Sequence, residues 1–120
     1  MKVLNKNFID KRGYILDILY NESFNHATLI HSNPKSIRGN HYHKKTTQIT
    51  FILSGEVEYY FKIKKSKIKK FILVKNSFLI TKPHEIHAYK FIKKTKMLIL
   101  SKGLRGGKDY EKDTYRKKII

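Results

Sequence analysis

The sequence predicts an all-β domain, an antiparallel barrel or sandwich, and three observations carry that expectation. Short apolar stretches recur along the whole chain with turn signals between them. One of them, residues 56–63, alternates cleanly: Val57, Tyr59, Phe61 and Ile63 against Glu56, Glu58, Tyr60 and Lys62. That is the period-2 pattern of a strand with one apolar face. No helical period holds over any useful window. At 120 residues the chain is one domain, long enough for a real core.

The elements follow in order. The polar turn Asp10-Lys11-Arg12-Gly13 leads into a strand over residues 14–20. A second strand, 27–31, closes at Ser32-Asn33-Pro34, and a third covers 37–43. Residues 48–53 and 56–63 flank Ser54-Gly55, which reads as a tight hairpin. Lys65-Ser66-Lys67 turns the chain into 68–74, and Asn76-Ser77 turns it into 78–81. Pro83 has no N–H to give to a ladder, so 82–86 is a loop or strand edge. Residues 87–92 and 97–101 form a last hairpin across 93–96. From Lys102 onward Gly103, Gly106 and Gly107 interrupt the chain and 109–116 is polar, so 102–120 is expected to be an extended or loosely helical tail. In a jelly-roll barrel these strands would leave a mouth lined by inward-facing residues, a common place for a ligand.

Lys and Arg number 27 against 9 Asp and Glu, a net charge of +18. The lysines are spread through turns (Lys64-Lys65, Lys69-Lys70, Lys93-Lys94) and the tail (Lys117-Lys118), with no basic stripe or nucleic-acid motif. Nucleic acid is therefore not an expected partner; the charge favours anionic ligands such as nucleotide diphosphates. The absence of cysteine excludes disulfides and thiolate metal sites. The start Met1-Lys2-Val3-Leu4-Asn5-Lys6 has no run of signal-peptide length, and nothing downstream would span a membrane, so a cytoplasmic protein is expected. The apolar run 49–53 exceeds what one inward face can use, and small open barrels leave edge strands, so a homodimer is expected.

The densest chemistry lies in Arg38-Gly39-Asn40-His41-Tyr42-His43 and the following Gln48. On a strand, His41 and His43 share a face. An imidazole exchanges protons near neutral pH or binds a metal, and clustered ionisable groups tend to mark sites. Gln48 opens the next strand and points inward. His87 and Tyr89 alternate with Ala88, so both are candidates for the cavity. Arg38 carries the fork that matches a diphosphate, but strand alternation points it away from His41 unless Gly39 introduces a bulge. His84 falls in the turn and is expected in solvent; His26 and His31 are ordinary strand residues.

These residues resemble the cupin superfamily, whose first motif runs Gly-x5-His-x-His-x3,4-Glu-x6-Gly. His41, His43 and Gly55 fit it, Gln48 stands at the Glu position and Lys35 at the first Gly. Of the second motif, Gly-x5-Pro-x-Gly-x2-His-x3-Asn, His87 is kept, while Asn76, Lys82, His84 and Phe91 occupy the other places. The segment 38–44, with Gln48, is similar to sugar-nucleotide cupins, the dTDP-4-oxo-6-deoxyglucose ketoisomerases and dTDP-4-dehydrorhamnose 3,5-epimerases. So are Asp10-Lys11-Arg12-Gly13-Tyr14, Asp109-Tyr110 and Asp113-Thr114-Tyr115-Arg116. The resemblance implies a single-domain cupin barrel and a metal-independent isomerase or epimerase of surface polysaccharide pathways. His41 would be its base, His43 would orient the base or a sugar hydroxyl, and Arg38, Gln48 and Tyr89 would bind substrate. No cofactor is expected on that reading. The alternative is a metal cupin in which His41, His43, Gln48 and His87 hold one Zn, Fe, Ni or Cu ion, serving an oxygenase-type enzyme or a ligand-binding module.

Overall fold

The computed structural model describes residues 1–104, 107–109 and 111–120; Gly106 and Tyr110 of the expected tail lie outside the described residues. Among the described residues the regular structure is twelve strands and one 3-10 turn. The strands are β1 (Lys2–Val3), β2 (Phe8–Asp10), β3 (Gly13–Ile15), β4 (His26–Ser32), β5 (Ile37–Tyr42) and β6 (Thr47–Ser54). They continue as β7 (Glu56–Ile63), β8 (Lys69–Val74), β9 (Ser77–Thr81), β10 (Glu85–Phe91), β11 (Thr95–Lys102) and β12 (Tyr115–Arg116). Two five-stranded sheets, ordered β1-β9-β6-β11-β4 and β12-β5-β10-β7-β8, are antiparallel throughout, and β2-β3 forms a separate hairpin. The all-β expectation therefore holds, as a jelly roll. Its core is packed by Ile52, Val57, Tyr59, Leu73, Leu79, Tyr89, Phe91, Met97 and Ile99. Val57 and Tyr59 are the inward half of the alternation read in β7, whereas Ile63 at its end is exposed.

Two expected hairpins are something else. β6 and β7 do not pair across Ser54-Gly55, and β10 and β11 do not pair across residues 93–96; each turn carries the chain from one sheet to the other. The two corners bond to each other instead. The N–H groups of Ile92 and Lys93 donate to Glu56 O at 3.0 and 3.2 Å, and the Glu56 N–H donates to Thr95 Oγ1 at 3.2 Å. Gly55 (φ 104°) lies so close that an added Cβ would stand 2.6 Å from Lys94 O. A tight turn and a sheet-switching corner use the same turn residues, so local sequence cannot separate them.

The strand expected over 14–20 stops at Ile15, paired with Phe8 in the β2-β3 hairpin. Beyond it the Asp17 N–H donates to the Asn7 side chain at 2.6 Å rather than to a ladder. Ile18, Leu19 and Tyr20 border a groove on the outer face of the first sheet with Ile49, Phe78 and Ile80. The apolar residues of that segment thus serve side-on packing, which mimics a strand in composition. Residues 102–120, expected as a tail, contain the 3-10 turn Gly107–Asp109 and then β12, which joins the second sheet beside β5.

The departures from the cupin motif leave its backbone intact. Lys35 (φ 69°), Asn76 (φ 69°) and His84 (φ 68°) occupy motif glycine places, and all three sit in the left-handed region. A non-glycine there costs about 1–2 kcal/mol, offset by the roughly 0.5–1 kcal/mol of extra chain entropy a glycine loses on folding. Lys35 is exposed, and its N–H bond to Phe91 O (2.8 Å) uses the main chain alone. Lys35→Gly is therefore expected to raise stability by about 0.5–1 kcal/mol; a urea midpoint that does not move upward would refute this.

Candidate active site

The site is built from both sheets at one end of the jelly roll. A cavity of about 250 Å³ is lined by Ile30, Ile37, Arg38, Gly39, His41, Gln48, His87, Tyr89, Met97, Ile99 and Arg116. β5 and β10 face each other in register, with His41 opposite His87. The next pair is Gly39 with Ala88, so Asn40 is an extra residue on β5: a bulge, with Gly39 at φ 90° and Asn40 at φ 55°. The bulge resets the alternation, and Arg38 and His41 line the same cavity. The Arg38 guanidinium is held by Ser32 Oγ (2.8 Å) and His31 O (3.2 Å).

His41, His43 and His87 are buried and form one cluster, with ring centroids 4.7 to 5.5 Å apart. One ligand atom from each lies within 4.8 Å of the others. The hydrogen bonds assign their protons. His43 Nδ1 lies 2.7 Å from Asp113 O and His87 Nδ1 lies 3.0 Å from Glu85 O. A carbonyl only accepts, so both rings carry a proton on Nδ1, which leaves Nε2 as their acceptor atom when neutral. His41 is the reverse. Arg116 Nη1 stands 3.1 Å from its Nδ1, and a guanidinium only donates, so Nδ1 is the acceptor and Nε2 carries the proton.

Gln48 is buried and lines the cavity, and Tyr89 closes its deeper side with its hydroxyl 2.9 Å from Thr50 Oγ1. His43 is packed behind the residues that line the cavity, and His84 is exposed, its N–H donating to His43 O at 2.6 Å. Under this cluster Tyr59 donates to Glu85 Oε1 (2.8 Å) beside Thr81 (2.7 Å). Burial pushes the Tyr59 phenol well above its usual range, reinforced by Tyr89 and Glu85, and burial also raises the Glu85 carboxyl against the hydrogen bond from Tyr59.

The sequence reading missed the part played by residues 111–116. β12 pairs Arg116 with His41, placing the guanidinium on the imidazole. Asp113 is buried and ties the strap to the loop after His43. Its carboxylate accepts from Lys44 N (3.0 Å), Lys45 N (2.9 Å) and Thr46 Oγ1 (2.7 Å), and its carbonyl accepts the hydrogen bond from His43 Nδ1. Burial alone would raise the Asp113 carboxyl, but these three donors and the His43 ring hold it below the usual range. The strap is pinned beyond Arg116 as well, where the Ile119 N–H donates to Asn40 Oδ1 (2.9 Å) and the Lys117 N–H to Asn40 O (2.8 Å). Asp113→Ala is expected to cost about 1–3 kcal/mol, the scale of lost hydrogen bonds to a charge, and to loosen residues 111–116; unchanged thermal unfolding and amide exchange there would refute it.

Facing antiparallel sheets with an imidazole cluster in the cavity between them define a cupin-type jelly roll. Residues 8–102 match the family model described as Polysaccharide biosynthesis C-terminal domain, and the chain belongs to that family. No curated protein matches the chain. Among solved structures it is similar to a double mutant of the QdtA 3,4-ketoisomerase from Thermoanaerobacterium thermosaccharolyticum in complex with TDP, at 25% identity and TM-score 0.78, over 96% of this chain and 85% of that one. It is similar to a 3,4-ketoisomerase from Helicobacter canadensis at 20% identity and TM-score 0.78, over 97% and 90%. A third is dTDP-4-dehydrorhamnose 3,5-epimerase from Sulfolobus tokodaii, at 19% identity and TM-score 0.71, over 84% and 68%. Among the described residues no helix is long and apolar enough to cross a membrane.

Proposed function

We propose that the protein is a sugar-nucleotide isomerase or epimerase acting on a dTDP-4-keto-6-deoxyhexose, with His41 as base. The observation that carries this is the meeting of His41 with two guanidiniums, Arg38 and Arg116, around one cavity. An anionic diphosphate suits the arginines, and a carbon acid beside a ketone suits an imidazole. The step balances without an oxidant or reductant. A base takes the proton from the carbon next to the carbonyl, and the C–H electron pair forms an enediolate. Return of a proton to the former carbonyl carbon, with loss of the neighbouring hydroxyl proton, moves the ketone by one position. Return to the original carbon from the other face inverts it instead. Gln48 and Tyr89 line the cavity where they can bond or stack against the sugar, and His87 Nε2 is suited to accept a sugar hydroxyl.

The metal reading has one observation in its favour, the approach of the three imidazoles. His43 and His87 fit it, since metal-bound imidazoles commonly give their other N–H to a carbonyl. His41 does not fit while Arg116 donates to Nδ1, because Nε2 then bears the proton, and the guanidinium adds a positive charge beside the site. Gln48 brings no compensating charge. As arranged, these residues do not make a complete set for a divalent cation.

The test is proton NMR of dTDP-4-keto-6-deoxyglucose with the protein in deuterium oxide, with and without a chelator. Ring-proton exchange that resists chelation is expected. No exchange would refute the proposal, and exchange lost to a chelator and restored by one metal would transfer the site to the metal reading.

A homodimer remains part of the proposal, on different grounds from the run 49–53. Ile49 and Phe51 are already buried within one chain, whereas Phe8, Ile9, Tyr14 and Ile15 of the β2-β3 hairpin are exposed. Large apolar side chains left exposed together on one hairpin suit association. Sedimentation at micromolar concentration is expected to give a dimer, and a monomer would refute it.

A further inference from the structure

We propose that Arg116 is a ligand-gated positioning residue: without ligand it donates to His41 Nδ1, and a bound nucleotide diphosphate draws it off that nitrogen. The inference rests on the nucleotide-sugar reading above. The Nδ1 lone pair is the one that a neutral His41 could use to take a proton, and the 3.1 Å contact with Arg116 occupies it. The same guanidinium lines the cavity with Arg38, so the anion that suits Arg38 is within the region Arg116 can serve.

The anchoring of the strap makes the exchange cheap. Asp113 and Asn40 hold the main chain on either side of Arg116, so the side chain can move while β12 stays paired with β5. Its other partner is Glu111 Oε1 at 2.7 Å, an ion pair with both side chains more than half exposed (62% and 58%). Such a pair is screened and weak. A diphosphate offers more charge and a bidentate match than a neutral ring nitrogen and a solvated carboxylate. Arg38, by contrast, is held by Ser32 and the His31 carbonyl and needs no release. Substrate would thereby prepare its own base, and His41 would stay engaged when the cavity holds no anion. The segment that matches the family ends at Lys102, before the strap begins.

The test uses dTDP as probe on the full chain. Calorimetry is expected to give binding to the wild type, weakened about tenfold to hundredfold in Arg116→Gln, the scale of a lost charged hydrogen bond. Glu111→Gln, which removes a competitor and leaves Arg116 in place, is expected to tighten binding by about twofold to fivefold. Nitrogen-15 NMR of the histidine rings supplies a signature that a merely structural arginine would not move. The wild-type His41 Nδ1 resonance shifts on saturation with dTDP toward its position in Arg116→Gln, where dTDP shifts it no further. A wild type that binds dTDP with an unmoved Nδ1 resonance, or equal affinity in Arg116→Gln, or weaker affinity in Glu111→Gln, would overturn this proposal alone. A wild type that binds no dTDP would overturn the nucleotide-sugar reading with it.

Discussion

Replacing His41 with Asn is expected to slow exchange of the sugar ring proton with solvent by about two to four orders of magnitude, the usual worth of a general base. Affinity for dTDP should stay within about threefold of wild type. A base acts on the proton in flight, whereas affinity comes from contacts to the diphosphate and nucleotide, where Arg38 and Arg116 line the cavity. Asn keeps a polar group at the site and is smaller than imidazole, so the jelly roll around it is not overfilled. The measurement pairs deuterium incorporation with calorimetry on one preparation. Undiminished exchange would remove His41 as base and turn attention to His87, whose Nε2 is the acceptor atom of the other imidazole lining the cavity.

The largest structural effect is expected from Gly39→Ala. An added Cβ would stand 2.8 Å from His87 O and 3.1 Å from Ala88 Cα, both backbone atoms that cannot swing aside. At φ 90° the residue is also strained by any side chain. Backbone strain of about 1–2 kcal/mol and overpacking of about 1–3 kcal/mol add to roughly 2–5 kcal/mol of lost stability. β5 would have to move off β10 where His41 pairs with His87, so the imidazole cluster should spread and dTDP binding fall together with stability. A variant that melts with the wild type and binds dTDP normally would show that the bulge is not held by that contact.

Much of this was legible in the sequence, and the misses share a physical origin. Strand alternation put Gln48, His87 and Tyr89 on inward faces because the period of a strand needs no partner to be defined. The bulge at Gly39 was foreseeable as a condition, since Arg38 could reach the His41 side only through it. Pairing was harder to read. Ser54-Gly55 and residues 93–96 are turns in either topology, and only the contact between the two corners, Glu56 with Ile92 and Lys93, decides that they cross between sheets. β12 was invisible because two residues cannot display a period. Its signal was chemical: Asp113 and Arg116, each meaningful only beside a histidine some seventy positions earlier. The left-handed Lys35, Asn76 and His84 show the converse, a motif whose letters changed while its backbone did not.

The strap has a consequence in time. A ribosome makes His41 and His43 early and Asp113 and Arg116 some seventy residues later, with sequence separations of 70 and 75 at the two contacts. The nascent chain can assemble both sheets through β11 before either partner has emerged, and in that interval the imidazoles stand without their carbonyl and guanidinium. Contacts so distant in sequence are among the last to repay the entropy of closing their loop. His41 and His43 thus gain these two partners only once residues 113–116 have been made, and not on collapse of the barrel. A polypeptide cut after Lys102 would be a jelly roll in outline, with β5 as a bare edge and with His41 and His43 lacking the contacts of Arg116 and Asp113.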